Sequence, residues 1–171
     1  MTFVTHLLSN WIHVKIIRFF LSMVLLRSLT AQAEEHWYSY DYLYLQGGTY
    51  THYTSSDNHE GPDILLRLEA IKDNDWSYGL ALFDNSFGQF SQYLYVGKTW
   101  NYHGSFEGFH TKLTAGLIHG YRGEYQDKIP LNRFGIAPAI IPSVGYKIGR
   151  YGADVSMLGF AGLLITVGID L

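Results

Sequence analysis

Cysteine is absent from all 171 residues. In a chain that reads as exported, this excludes a disulfide framework, and stability has to come from the fold itself. A basic excess is absent as well. Formal net charge is −3, and it becomes −6 once Lys15, Arg18 and Arg27 are removed with the leader described below. That balance argues against nucleic acid as a partner. No run after Ala33 approaches the ~20 apolar residues of a transmembrane helix. Walker motifs, dinucleotide fingerprints, HExxH and GxSxG are missing, and with them the chemistry those motifs carry. Internal repeats, low-complexity tracts and linkers are also missing, so a single domain follows the leader. Proline is scarce, with four residues against fourteen Tyr, ten Phe and four Trp. That composition favours many strands with aromatic girdles, as in a barrel of an outer membrane, over a water-soluble enzyme.

Residues 1–33 read as a signal peptide. Lys15 and Arg18 precede the apolar run Phe19–Leu26, and Ala31-Gln32-Ala33 supplies the small residues of a cleavage site. Glu34 would begin the mature chain, and residues 34–171 would form the barrel. The alternative is an uncleaved anchor, but the strong apolar run is only eight residues, far short of the ~20 needed to span a bilayer.

Eight strand-like segments follow: Trp37–Thr54, Ile64–Lys72, Trp76–Phe83, Phe90–Trp100, Phe106–Gly120, Arg133–Lys147, Tyr151–Leu158 and Ala161–Leu171. Short connections at 73–75, 101–105 and 148–150 alternate with longer ones near 55–63, 84–89 and 121–132. The Gly159-Phe160 connection is short for its place in that series. This alternation is the signature of an eight-stranded antiparallel up-and-down transmembrane β-barrel. Two segments carry the two-residue period most clearly. Leu163, Ile165, Val167, Ile169 and Leu171 share one face of the last strand, and Leu164, Thr166, Gly168 and Asp170 share the other. In the fifth, Phe109, Thr111, Leu113, Ala115 and Leu117 oppose His110, Lys112, Thr114, Gly116 and Ile118. A soluble barrel would carry its charges outside and its apolar residues inside.

The hairpin tip Phe83-Asp84-Asn85-Ser86-Phe87-Gly88-Gln89-Phe90 holds a hydroxyl and a carboxylate inside an aromatic collar, as at a boundary between water and lipid. His52, at the end of the first strand, should reach the same outer rim. A histidine, a serine (Ser86) and a carboxylate (Asp84) on one rim supply the parts for acyl transfer. Ordinary surface and turn roles are the alternative for each, and His59 and His119 are competing bases. His52, Asp57, His59 and Asp63 form a loose cluster whose spacing matches no specific metal site. Arg122, Lys128 and Arg133 flank the third outer loop, where they could meet lipid phosphates or stay solvated. Pro62, Pro138 and Pro142 fall in or beside strands. A proline cannot donate to a ladder, so each marks a bulge or an incompletely bonded stretch of wall through which lipid could enter.

On these residues the chain resembles PagP, the outer-membrane lipid A palmitoyltransferase family. The likeness runs from about Leu45 to Leu171. It is carried by Thr51-His52-Tyr53, Gly79–Phe87, Ile129-Pro130-Leu131 and, most literally, Pro142-Ser143-Val144-Gly145-Tyr146. It implies an eight-stranded barrel that moves a palmitoyl chain from a phospholipid donor to lipid A. His52 would be the catalytic histidine and Ser86 the serine of an Asp-Ser pair. The residue before Ser86 is Asn85, so the carboxylate has shifted to Asp84 or is lost. Gly97 matches the glycine that sets acyl length, and Pro62 and Pro142 match two lateral-gap prolines. The family's partner prolines in strands one and seven, its N-terminal amphipathic helix and its longer fourth outer loop have no counterpart here.

The expectation is therefore a monomeric acyltransferase of the cell outer membrane, working without cofactor or metal. His52 would deprotonate the acceptor hydroxyl, Asp84 would orient the imidazole, and Ser86 would bind the reacting ester. Gly97, Pro62, Pro142, Arg122 and Lys128 would contact substrate. The alternatives are a lipid A deacylase of the PagL type, whose His-x-Ser-Asn signature is missing here, and a non-catalytic barrel. Eight strands leave little lumen for a pore.

Overall fold

The computed structural model describes residues 39–53, 64–159 and 162–171. The leader, Pro62 and the loop histidine and aspartates at 57, 59 and 63 lie outside the described residues. Eight strands follow one another: β1 (Tyr42–His52), β2 (Ile64–Ile71), β3 (Trp76–Asp84), β4 (Phe90–Asn101), β5 (Phe109–His119), β6 (Ile136–Ile148), β7 (Tyr151–Met157) and β8 (Gly162–Asp170). Each pairs antiparallel with the next, and β8 closes on β1 from Tyr44↔Asp170 to His52↔Gly162. The result is an eight-stranded, all-antiparallel, up-and-down barrel, as the spacing of turns and alternating residues requires. Closure pairs the free edges of the first and last strands.

Alternation sorts the side chains to two sides of that wall. Leu94, Val96, Leu113, Leu117, Ile140, Val144, Val155, Ile165 and Val167 are all exposed on the outside. The residues between them point inward, and many are polar: Gln46, Arg67, Glu69, His110, Lys112, Asp154 and Thr166 are buried. An apolar exterior around a polar interior is the reverse of a soluble barrel. It defines a transmembrane barrel of the outer-membrane type. Exposed Trp76, Trp100, Tyr102, Phe106, Phe109, Tyr146 and Tyr151 collect near the short turns and form one aromatic girdle.

Those turns are tight. Asp75 takes a φ of 61° between β2 and β3, and Gly149 a φ of 57° between β6 and β7. The fifth strand starts at Phe109, later than the sequence pattern suggests. Gly104–Phe106 forms a 3-10 turn, and Gly108, at φ 87°, turns the chain into the ladder. The sixth starts at Ile136. Arg133 and Ile136 exchange backbone hydrogen bonds across Phe134 and Gly135, both at positive φ, which is a tight hairpin turn in its own right.

Inside, the residues nearer the long loops are mostly apolar. Tyr50, Leu65, Ala81, Tyr93, Tyr95 and Leu164 pack together, with Phe83, Ile118, Ala139, Ile141 and Leu158 against them. Next to them lies a charged layer. Lys112 Nζ is 2.7 Å from Glu69 Oε2, and Tyr95 donates to Glu69 Oε1 at 2.9 Å. Gln46 donates to Asp154 Oδ2 at 2.7 Å, and His110 Nε2 lies 2.7 Å from Asp154 Oδ1. Arg67 Nε bonds Gln46 Oε1, and its Nη2 lies 3.9 Å from Asp154. Two cations and two carboxylates thus neutralise each other with side-chain hydrogen bonds, the condition for tolerating buried charge.

Candidate functional site

The outer rim is where the sequence gathers its candidates, and the loop 84–89 is its best-defined part. Asn85 organises that loop. Its Oδ1 accepts from the backbone N–H of Phe87 at 3.0 Å and of Gln89 at 3.1 Å, and its Nδ2 donates to Ser91 Oγ at 3.1 Å. Backbone bonds from Asn85 N to Gln89 O and from Gly88 N to Asn85 O complete the turn. An asparagine suits this place because one amide accepts twice and also donates, whereas a carboxylate cannot donate to Ser91. Asn85, just before Ser86, is therefore a buried structural clasp.

Ser86 follows it and is buried, 8% exposed. Asp84 falls on the outward register of β3, opposite Phe90. Its backbone carbonyl accepts from Tyr50 Oη at 2.7 Å. Tyr50 is two residues before His52, so this bond ties the top of β1 to the loop that carries Ser86. His52 itself ends β1 opposite Gly162. The fold thus brings the end of β1 and the 84–89 loop to the same rim, as the strand order predicts.

Aromatic contacts seat the third outer loop on this one. Phe87 stacks on Tyr125 at 4.1 Å and meets Tyr121 edge-on at 6.4 Å. Burial pushes the Tyr121 phenol up to about 12. The Gln89 amide clamps Arg122, donating to its carbonyl at 3.3 Å and accepting from its N–H at 3.1 Å. Lys128 ends the 3-10 turn Gly123–Lys128 and is exposed. Of these two cations, Arg122 is the one with hydrogen bonds to the 84–89 loop.

Gly97 lies on the inward face of β4 between Ser77 and Thr114. A Cβ there would stand 2.6 Å from Ser77 Oγ and 3.3 Å from Thr114 Cγ2. Close approach of neighbouring side chains is thus sufficient reason for a glycine, whatever else it does.

Pro142 marks a boundary in the wall. The β5–β6 ladder runs unbroken from Phe109↔Tyr146 to His119↔Ile136, through Pro142 and Pro138. The β6–β7 ladder stops at Ser143↔Ser156. Above it, among the described residues, 136–142 of β6 have no ladder to β7. Prolines placed four apart in a strand put their missing donors on one edge. With the β5 ladder intact, that edge is the one facing β7. The sequence flagged these prolines, and the register supplies the geometry. What sequence reasoning missed is the charged layer. Its signal was present in Leu65-Leu66-Arg67-Leu68-Glu69, where charges occupy one register of an otherwise apolar strand.

No family model matches this sequence, and no curated protein matches it either. Among solved structures, the chain is similar to the Yersinia pestis outer membrane protein Ail, studied in a phospholipid bilayer nanodisc. That likeness has 12% identity and a TM-score of 0.40, covering 76% of this chain and 99% of that one. The assignment of the barrel class rests on strand order and on the two faces of the wall. No group of three or more candidate metal-ligating side chains occurs among the described residues.

Proposed function

We propose that this chain stands in the outer membrane as a non-conducting barrel and transfers an acyl chain from a phospholipid to lipid A. The observation that carries the lipid reading is the unladdered upper edge of β6, with Pro138 and Pro142 in it, beside an inward face that is apolar at Ala137, Ala139 and Ile141. A wall left open at that level gives a hydrocarbon chain a way in from the side, without crossing water. In this reading His52 acts as general base on the acceptor hydroxyl, Ser86 binds the reacting ester, and Asp84 balances the imidazolium charge. The resemblance in Thr51-His52-Tyr53 and Pro142–Tyr146 supports those roles, and the bond from Tyr50 to Asp84 supports a common rim. Asn85, held by its four side-chain bonds, takes no part.

The second reading is a non-catalytic structural barrel. It is favoured by the clasp at Asn85, which occupies the family's carboxylate position, and by the charged layer spanning the lumen. It requires nothing beyond the observed fold, which catalytic and non-catalytic barrels share. Mass spectrometry of lipid A from cells with and without the gene separates the possibilities. A palmitate-sized gain that depends on His52 supports transfer, and loss of an acyl chain indicates a deacylase. An unchanged lipid A favours the structural barrel. Full palmitoylation by His52→Ala would remove the base assignment.

A further inference from the structure

The outside of the barrel carries a groove at the upper ends of β4 and β5. It measures about 340 Å³ and is lined by Gln89, Phe90, Gln92, His119, Gly120 and Arg122. Gln92 and His119 lie directly opposite each other, on the lipid-facing register. Below them the same register continues as Leu94 opposite Leu117, then Val96 opposite Ala115. Leu94 and Leu117 are 64% and 54% exposed, as expected of side chains that meet hydrocarbon. The stripe ends at exposed Trp100 in the opposite girdle. From Gln92 to Trp100 the strand rises roughly 26 Å at ~3.3 Å per residue. Allowing for strand tilt, this is comparable with the ~25 Å apolar band of such barrels. Gln92 and His119 therefore sit at the level where acyl chains give way to headgroups.

Arg122 is built into this place. Its backbone is clamped on both sides by the Gln89 amide. Gly135 makes way for its stem, since a Cβ there would lie 3.1 Å from Arg122 Cγ. Its Nη2 donates to His119 Nε2. Because a guanidinium only donates, that ring nitrogen must be the acceptor, and the neutral imidazole keeps its N–H at Nδ1. No carboxylate is paired with Arg122 among the described residues. The groove thus brings an uncompensated guanidinium, an imidazole and side-chain amides to one small volume. Planar guanidinium with further N–H donors is the donor set that phosphate oxygens take best.

We propose that this groove docks the phosphate of a membrane lipid, whose acyl chains then lie along the Leu94–Leu117 stripe. The site depends on the barrel standing in a membrane and not on acyl transfer, so a barrel without enzymatic activity would still have it. Of the loop cations, only Arg122 lines it.

The full-length protein, extracted in mild detergent, is examined by native mass spectrometry with bis-phosphorylated lipid A, dephosphorylated lipid A, or bis-phosphorylated lipid A plus inorganic phosphate. The wild type should retain the phosphorylated lipid over the dephosphorylated one. Arg122→Gln should lower that retention roughly tenfold, the scale of one charge-assisted hydrogen bond. Arg122→Lys, which keeps the charge and loses the fork, should fall between them and guards against a misfolded first variant. Lys98→Gln removes an outward cation at the other end of β4, beside Asp75, and should leave retention unchanged. Equal retention by wild type and Arg122→Gln overturns the proposal, as does equal loss in Lys98→Gln. Full displacement by inorganic phosphate alone would make this a free-anion site and overturn the lipid assignment. Whether lipid A in cells is palmitoylated has no bearing on any of these outcomes.

Discussion

Asn85 spans both faces of the 84–89 loop with one amide, and its substitutions separate structure from chemistry. Asn85→Ala removes four side-chain hydrogen bonds at a buried position. It should cost about 1–3 kcal/mol, the penalty for leaving buried groups unpaired, read as a lower urea midpoint for the detergent-folded barrel. Asn85→Asp creates the Asp-Ser order of the PagP family that the sequence resembles, while losing the donor to Ser91. Raised lipid A palmitoylation with lowered stability would tie a carboxylate there to catalysis. Tyr121 makes a pH-dependent contribution. Its folded pKa of about 12 exceeds the ordinary 10.0, so the folded state holds the proton more tightly. The stabilisation is complete below pH 10 and is lost as pH rises toward 12. Tyr121→Phe should flatten that alkaline decline in unfolding experiments. Gly97 admits two outcomes. If it sets acyl length, Gly97→Met shortens the transferred chain. If it serves only packing against Ser77 and Thr114, the variant loses stability and leaves chain length unchanged.

At the scale of strands, β5 and β8 were legible because a lipid-facing residue and a lumen-facing residue must alternate along every strand. Leu163–Leu171 and Phe109–Ile118 therefore record both environments in one line of sequence. The short turns were legible for a related reason, since Asp73-Asn74-Asp75 and Gly149-Arg150 have no face to bury. The beginnings of β5 and β6 were not. Phe106 and Arg133 look like strand residues locally, but positive φ at Gly108, Phe134 and Gly135 diverts the chain before the ladder begins. The prolines of β6 announced a defect in the ladder without revealing which neighbour was missing, because that depends on where β7 ends. The β6–β7 boundary can be closed by design. Pro142 and Met157 continue the ladder that stops at Ser143↔Ser156, both on the outer register, and the chain has no cysteine to compete. In Pro142→Cys/Met157→Cys, a disulfide should abolish lipid A palmitoylation, and reductant should restore it. Activity unchanged in the oxidised form would exclude this route of entry.

Across the whole barrel, the partners in the charged layer were not legible, because closure brings together residues far apart in the chain. Gln46 and Asp154, 108 residues apart, meet only once β8 has paired with β1. Glu69 is fully buried with Lys112 as its partner. Glu69→Gln should destabilise by about 3–5 kcal/mol, since it strands a buried cation. Combining it with Lys112→Met should recover much of that loss in the same unfolding assay. The rim geometry of Ser86 and the end of β1 followed from topology. The structural role of Asn85 did not, because asparagine in a turn reads the same whether it faces water or clasps a loop.

The uneven strand lengths have a consequence for the bilayer itself. β7 has seven residues and β8 nine, while β4 has twelve and β6 thirteen. At ~3.3 Å per residue, β7 and β8 are shorter than β4 and β6 by roughly 10–20 Å along the strand direction, and beyond β1 the strands β2 and β3, with eight and nine residues, are short as well. A membrane of uniform thickness cannot match both sides, so the barrel tilts toward its short side or the lipid there thins and loses chain order. The unladdered edge of β6 lies beside the short strand β7. The short hairpin would thus disorder lipid acyl chains beside the gap through which one of them is proposed to enter.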